Sequence, residues 1–98
     1  MDKIRDYLTQ ELQMKPFVAN MMVTRLCRYD DIRAEFYNWL DTRSYQTENP
    51  LQVEGYTAAD IAALAPFMDV SAVYGFLVTL RENPKDAKDI IARGFPRK

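Results

Sequence analysis

The stretch Thr57–Glu82, TAADIAALAPFMDVSAVYGFLVTLRE, most constrains what this chain can fold into. Thr57 stands as an N-cap with Asp60 three residues on, a variant of the capping box that satisfies two orphan amides at a helix start. Tyr56 before the cap and Ile61 after it are spaced as a hydrophobic staple. Ile61, Leu64 and Ala65 are placed to face inward. That helix should end near Ala65, because Pro66 pushes the preceding residue out of the α region. Asp69 then caps a second helix, with Met68 and Val73 as its staple, running to about Glu82. Val73, Phe76, Leu77 and Leu80 form one face, and Tyr74 and Val78 carry the apolar surface round the side. A helix apolar nearly all round is normally buried. Ser71, Gly75 and Thr79 recur once per turn, a row of small residues along which another helix can approach closely. Such a helix needs other elements wrapped around it.

The remaining sequence supplies them. A first helix spans about Asp2–Gln13, with Asp2 as N-cap and Ile4, Leu8 and Leu12 as its apolar stripe. It stops near Met14, ahead of Pro16. A second helix opens with Pro16 at its first position, where the missing N–H costs nothing, and continues to about Arg28. Its stripe is Val18, Met21, Met22, Leu26 and Tyr29, and the paired methionines suit an adaptable surface. A third spans about Asp31–Arg43, with Asp30 as N-cap and Ile32, Phe36, Trp39 and Leu40 facing one way. The apolar spacing runs unbroken from Leu26 to Ile32, so these two could be one helix of about 28 residues; a break at Tyr29–Asp30 is preferred. Ser44–Gly55 is irregular and holds an Asn49-Pro50 turn signal. Its extended piece at Leu51–Val53 has no second strand, so no sheet is expected. A last helix opens at Asn83-Pro84, buries Ala87, Ile90 and Ile91, and closes at Gly94 with Phe95 folded back onto Ile90. The expected fold is a single all-α domain, residues 1–98: a compact bundle of five or six helices with a helix-turn-helix-like hairpin at 57–82.

Composition narrows the chemistry. Hydrophobic residues at 48% and charged residues at 28% describe a globular chain. There is no histidine, which removes Ser–His and Cys–His nucleophile pairs and histidine metal ligands. A lone cysteine, Cys27, cannot form an internal disulfide or, without histidine, a zinc site. Gly55, Gly75 and Gly94 stand apart, so no phosphate-cradling loop exists. These absences point to a non-enzymatic protein with no cofactor and no metal. No apolar run approaches the ~18–20 residues of a membrane span, and MDKIRDYLTQ lacks a signal-peptide core. The expected location is cytoplasmic.

Two functional readings follow. As a helix-turn-helix, the hairpin would place Ser71, Ala72, Thr79, Arg81, Lys85 and Lys88 against nucleic acid. Its groove-facing half carries no Arg, Lys, Asn or Gln, the commonest base readers. It also supplies no phosphate-neutralising charge before Arg81, and the net charge is −1. The preferred reading is a protein-interaction or adaptor module that binds another protein or itself, as a homodimer. The chain holds six tyrosines and one tryptophan, residue types favoured at interfaces. The candidate partner surface is Tyr74, Val78, Met21, Met22 and Tyr37.

The phrases VEGYTAADI (53–61), LRENPKDAKDII (80–91) and GFPRK (94–98) resemble, in cadence, short uncharacterised cytoplasmic proteins of Gram-positive bacteria. The resemblance covers roughly the second half of the chain and brings no activity or site residue with it.

Overall fold

The computed structural model describes residues 3–94. The expected cap at Asp2 and the Phe95 closure lie outside the described residues. Among those residues six α-helices follow one another: α1 Lys3–Gln10, α2 Pro16–Leu26, α3 Asp30–Thr42, α4 Ala58–Leu64, α5 Val70–Glu82 and α6 Ala87–Gly94. A 3-10 turn at Pro84–Asp86 leads into α6. The architecture is an all-α bundle.

The start signals at α4 and α5 act as the sequence implies. Thr57 Oγ1 accepts from the Asp60 amide at 3.1 Å, and Asp60 Oδ2 accepts from the Thr57 amide at 3.0 Å. Asp69 Oδ1 accepts from the Ala72 amide at 3.0 Å. Two other expected caps are corrected. The residue before α3 is Tyr29, in extended conformation, and Asp30 is the first helical residue. Asp31, one step further on, accepts from the Ile32 amide at 2.8 Å. Both acids still sit at the positive end of the helix dipole. Asn83 caps backward: its Nδ2 donates to the Thr79 carbonyl at 2.9 Å, so it closes α5 instead of opening α6.

The chain does break between α2 and α3. Cys27 ends α2, and Tyr29 turns extended at φ −119 and ψ 121. α1 stops earlier than its periodicity suggests. Gln13 takes a left-handed φ of 57, and the Met14 amide donates to the Leu8 carbonyl at 2.9 Å. The loop before α4 contains a tight reversal. Val53 and Tyr56 exchange backbone hydrogen bonds at 2.8 and 3.0 Å across Glu54 and Gly55, both at positive φ. Positive φ at both central positions is the geometry of a type I′ turn, and glycine meets it without strain.

α5 is the centre. Its residues Val70, Ser71, Val73, Tyr74, Gly75, Leu77, Val78 and Leu80 are all buried. α2, α3 and α4 pack against it, and α1 closes over α2 and α3. The small-residue row meets α2: Arg25 Nη2 donates to the Gly75 carbonyl at 3.1 Å and to Thr79 Oγ1. Further along, Arg28 pairs with Glu82. Position 22 therefore lies beside 75, 25 beside 79 and 28 beside 82, so α2 and α5 run parallel. An aromatic cluster joins α1, α3, α5 and the loop. Tyr7 meets Trp39 edge-on at 5.5 Å, Phe36 meets Tyr74 at 5.3 Å, and Tyr45 lies between Trp39 and Tyr74.

The inward stripe of α2 is displaced from the expected one. Ala19 and Leu26 are buried and Met22 and Val23 half-buried, while Val18 and Met21 are exposed. Residues 19, 22, 23 and 26 also keep helical spacing, and the alanine among them presents a small surface to the bundle. In α4, Ile61 and Ala65 are buried as expected, but Leu64 is exposed.

Candidate interaction surface

Most charged side chains near the helix contacts are already engaged. Arg81 of α5 grips Asp31 of α3 with two hydrogen bonds, at 2.6 and 2.8 Å, and lies 5.1 Å over the Tyr29 ring. The guanidinium holds the Asp31 carboxyl below its ordinary range. Arg28 and Arg25 converge on Glu82, whose carboxyl is lowered chiefly by its Arg28 hydrogen bond. Arg43, at the end of α3, grips Glu11 at 2.7 and 3.0 Å and stacks 5.2 Å from both the Tyr7 and Trp39 rings. These contacts tie α1 to α3, α3 to α5 and α2 to α5. They fasten the helices to one another.

The open cleft of about 430 Å³ between α3 and the 47–51 segment is occupied by similar work. Of its acids, Asp31 is held by Arg81. Glu35 accepts from the Leu51 amide at 2.8 Å and from the buried Tyr74 hydroxyl. Burial pushes the Tyr45 hydroxyl up to about 12 and the Tyr74 hydroxyl higher still, the latter aided by Glu35. Among the described residues no group of three acidic or thiol side chains is placed to hold a metal, and no helix is long and apolar enough to cross a membrane.

What remains open is apolar. Phe17 is 74% exposed and Phe67 84% exposed, with Val18, Met21 and Leu64 about half exposed. Two Pro-Phe steps produce this. Pro16 starts α2 and Pro66 follows α4, so each phenylalanine sits at a helix boundary where the core stripe does not claim it. The parallel register of α2 and α5 places Phe17 and Val18 level with the start of α5. Leu64 and Phe67 lie in the segment leading into that same start. The five side chains come from two separate runs, one along the outer side of α2 and one spanning the end of α4 and the turn before α5. The two sequence runs that supply them, 16–24 and 61–68, contain no charged residue.

The candidate residues read from sequence are scattered by the fold. Tyr74 and Val78 are fully buried, so the proposed Tyr74 side of α5 is core and not surface. Met22 is half-buried beside Gly75, and Tyr37 is half-buried on α3. Met21 alone of the five stands in the exposed apolar set. Phe17, Val18, Leu64 and Phe67 were not among the candidates; the repeated Pro-Phe step inside a charge-free run was the available signal. The nucleic-acid candidates fare no better. Ser71 is buried, Thr79 is bonded to Arg25 and Arg81 to Asp31, and Ala72 is half-buried. Only Lys85 and Lys88 are exposed, with Asp86 and Asp89 beside them. No residue of α5 from Val70 to Arg81 is exposed, which leaves no face to enter a groove.

Comparison with protein-family models, with curated proteins and with solved structures finds no match for this chain.

Proposed function

We propose that this chain is a small non-enzymatic protein-interaction module that works through its exposed apolar side chains, Phe17, Val18 and Met21 on α2 and Leu64 and Phe67 ahead of α5. The carrying observation is the exposure of two phenylalanines, Phe17 and Phe67, in runs of sequence that carry no charge. Scattered exposed apolar residues are ordinary, but here Phe17, Val18 and Met21 stand within five residues of one helix and Leu64 and Phe67 within four of each other, and grouped apolar side chains mark interaction surfaces. Aromatic side chains are the usual anchors of such surfaces, because they bury a large area for little loss of rotamer freedom. The bundle behind them is fastened by α5 and its ion pairs, so the anchors are presented on a rigid support. Nothing in this surface performs chemistry; its work is to bind.

The test is site-specific crosslinking in the native host cell. A photoreactive phenylalanine analogue at position 67 should yield a covalent protein adduct, and the same analogue at position 88 should not. Equal yields at both positions, or none at 67, would remove this reading.

A further inference from the structure

We infer that the cleft between the Val53–Tyr56 turn and α4 is a peptide-docking groove, and that its occupant presents a large apolar side chain beside a lysine or arginine. The inference rests on the interaction reading above and names the partner of its Leu64 side.

Two local devices build the groove. Val53 and Tyr56 close the turn with paired backbone hydrogen bonds, which set the half-buried Tyr56 immediately before the Thr57 cap. Asp60, Ala63 and Leu64 then fall at i, i+3 and i+4 on α4 and share a face, while Ile61 and Ala65 turn into the core. Together Gly55, Tyr56, Asp60, Ala63 and Leu64 line an open cleft of about 380 Å³. That is the small end of the ~300–1,000 Å³ range of ligand pockets, a size for side chains and not for a packed helix. A Cβ at Gly55 would meet nothing within 4 Å, and Ala63 is small and exposed, so neither obstructs it. The apolar lining is Tyr56, Ala63 and Leu64, the last 46% exposed.

The charge at the groove has one sign. Asp60 is its only charged lining residue. Asp60 Oδ2 accepts from the Thr57 amide at 3.0 Å, which holds the carboxylate in place. Among the described residues no lysine or arginine pairs with it, in contrast to Glu11, Asp31 and Glu82, each held by an arginine. Glu54, beside Gly55 in the turn, is exposed as well, and no lysine or arginine occurs from Ser44 to Leu80. An apolar lining beside an uncompensated carboxylate suits a lysine or arginine side chain, whose stem packs on apolar surface while its head meets the charge. The same acids repel an acidic peptide and disfavour anionic lipid headgroups.

The test selects random peptides displayed on phage against the full chain and counter-selects them on Ala63→Arg. Position 63 is exposed, so the arginine should fill the groove and pair with Asp60 while circular dichroism shows unchanged helix content. Peptides kept by the wild type and lost by the variant should be enriched in a large apolar residue next to lysine or arginine. For the most enriched peptide, Ala63→Arg and Leu64→Ser should each raise the dissociation constant about 10-fold. Asp60→Asn should raise it about 3-fold and flatten its salt dependence. Asparagine still offers an acceptor to the Thr57 amide, so this variant removes the charge and leaves the cap. Selection of acidic or uncharged peptides overturns the inference, as does equal binding to Ala63→Arg or failure to select any peptide. The position-67 crosslink separates the two readings. An adduct formed equally in the wild type and in Ala63→Arg, with no groove-dependent peptide, keeps the interaction module and removes the groove. No adduct and no peptide removes both. Self-association of the chain that Ala63→Arg abolishes, with no peptide selected, assigns the groove to a second copy and overturns the peptide.

Discussion

The Met22 methyl carbon stands 3.5 Å from the point where a Cβ on Gly75 would lie. That is ordinary van der Waals contact with the end of a flexible side chain, so one added methyl fits. Gly75→Ala should stabilise the protein by about 0.5–1 kcal/mol, since alanine loses less backbone freedom in a helix. Gly75→Leu should destabilise it by about 1–3 kcal/mol, because the longer side chain must enter space held by Met22 and Arg25. Urea midpoints give both values. A leucine variant as stable as wild type would mean that α2 does not pack on this row.

Asp69 serves two neighbours at once: Oδ1 accepts from the Ala72 amide and from the buried Ser71 hydroxyl. Asp69→Ala removes a cap, worth about 1 kcal/mol. It also leaves the Ser71 hydroxyl seeking an acceptor inside the core, worth about 1 kcal/mol more. Ser71→Ala in the Asp69→Ala background should therefore recover roughly half of the loss. Strict additivity of the two single substitutions in a urea-denaturation cycle would disprove the shared contact.

What was legible in the sequence, and what was not, divides along physical lines. Helices α4 and α5 were legible because their starts rest on contacts within four residues, Thr57 with Asp60 and Asp69 with Ala72. The centrality of α5 was legible because no solvent-facing stripe can be drawn on it. The α2 face was misread because Val18 and Ala19 each begin a helical stripe, and only the packing of α1 and α5 decides between them. Asp30 and Asn83 were misread as caps because a short polar side chain at a helix boundary can serve either neighbour. The Tyr74 surface was misread for a related reason. Its hydroxyl suggested a wet position, but Glu35, 39 positions away in the chain, satisfies it in the core. The exposed phenylalanines were signalled only by the Pro-Phe steps that set them at helix boundaries, since exposure itself is a property of the assembled bundle.

Acid should act through Asp31. Its folded pKa is depressed by Arg81 below the ordinary 3.8. A depressed carboxylate contributes stability above its unfolded pKa and loses it as pH falls through the folded value. Asp31→Asn should therefore lower stability at neutral pH by less than about 1 kcal/mol, the pair being open to solvent. The difference from wild type should close on acidification below the carboxylate range. Urea midpoints of both proteins across that range provide the check, and a gap that stays constant would mean the pair does not titrate with folding.

Alkali should act through Tyr45. Burial raises its hydroxyl from 10.0 to about 12, with Tyr7 and Asp69 adding to the rise. A raised pKa contributes stability below the unfolded value and loses it as pH climbs through the folded one. The wild type should therefore lose stability between about pH 10 and about pH 12. Tyr45→Phe should remove the tyrosinate absorbance that appears at about pH 12, ahead of the still higher Tyr74, and lessen that loss. An unchanged slope in the variant would place the titrating group elsewhere.

Glu35 is where the long loop is fastened to the core. Its carboxylate accepts from the Leu51 amide, 16 residues along the chain, and from the Tyr74 hydroxyl at the centre of the bundle. Glu35→Ala removes both acceptors. The Tyr74 hydroxyl is then buried without a partner, which costs about 1–3 kcal/mol. The Leu51 amide is half-buried and can turn to water, so its loss costs little energy but releases the loop. Global stability and local opening should consequently separate. Hydrogen exchange at Leu51 should accelerate far more than at amides in the middle of α5, which report the global change alone. Tyr74→Phe gives the complement: the loop tether stays, the buried hydroxyl goes, and Leu51 exchange should follow the global stability only. Adding Tyr74→Phe to Glu35→Ala should restore most of the lost stability while Leu51 exchange stays fast. If Leu51 exchange were unchanged in Glu35→Ala, the tether would carry no weight, and the loop would be held instead by Tyr45 between Trp39 and Tyr74.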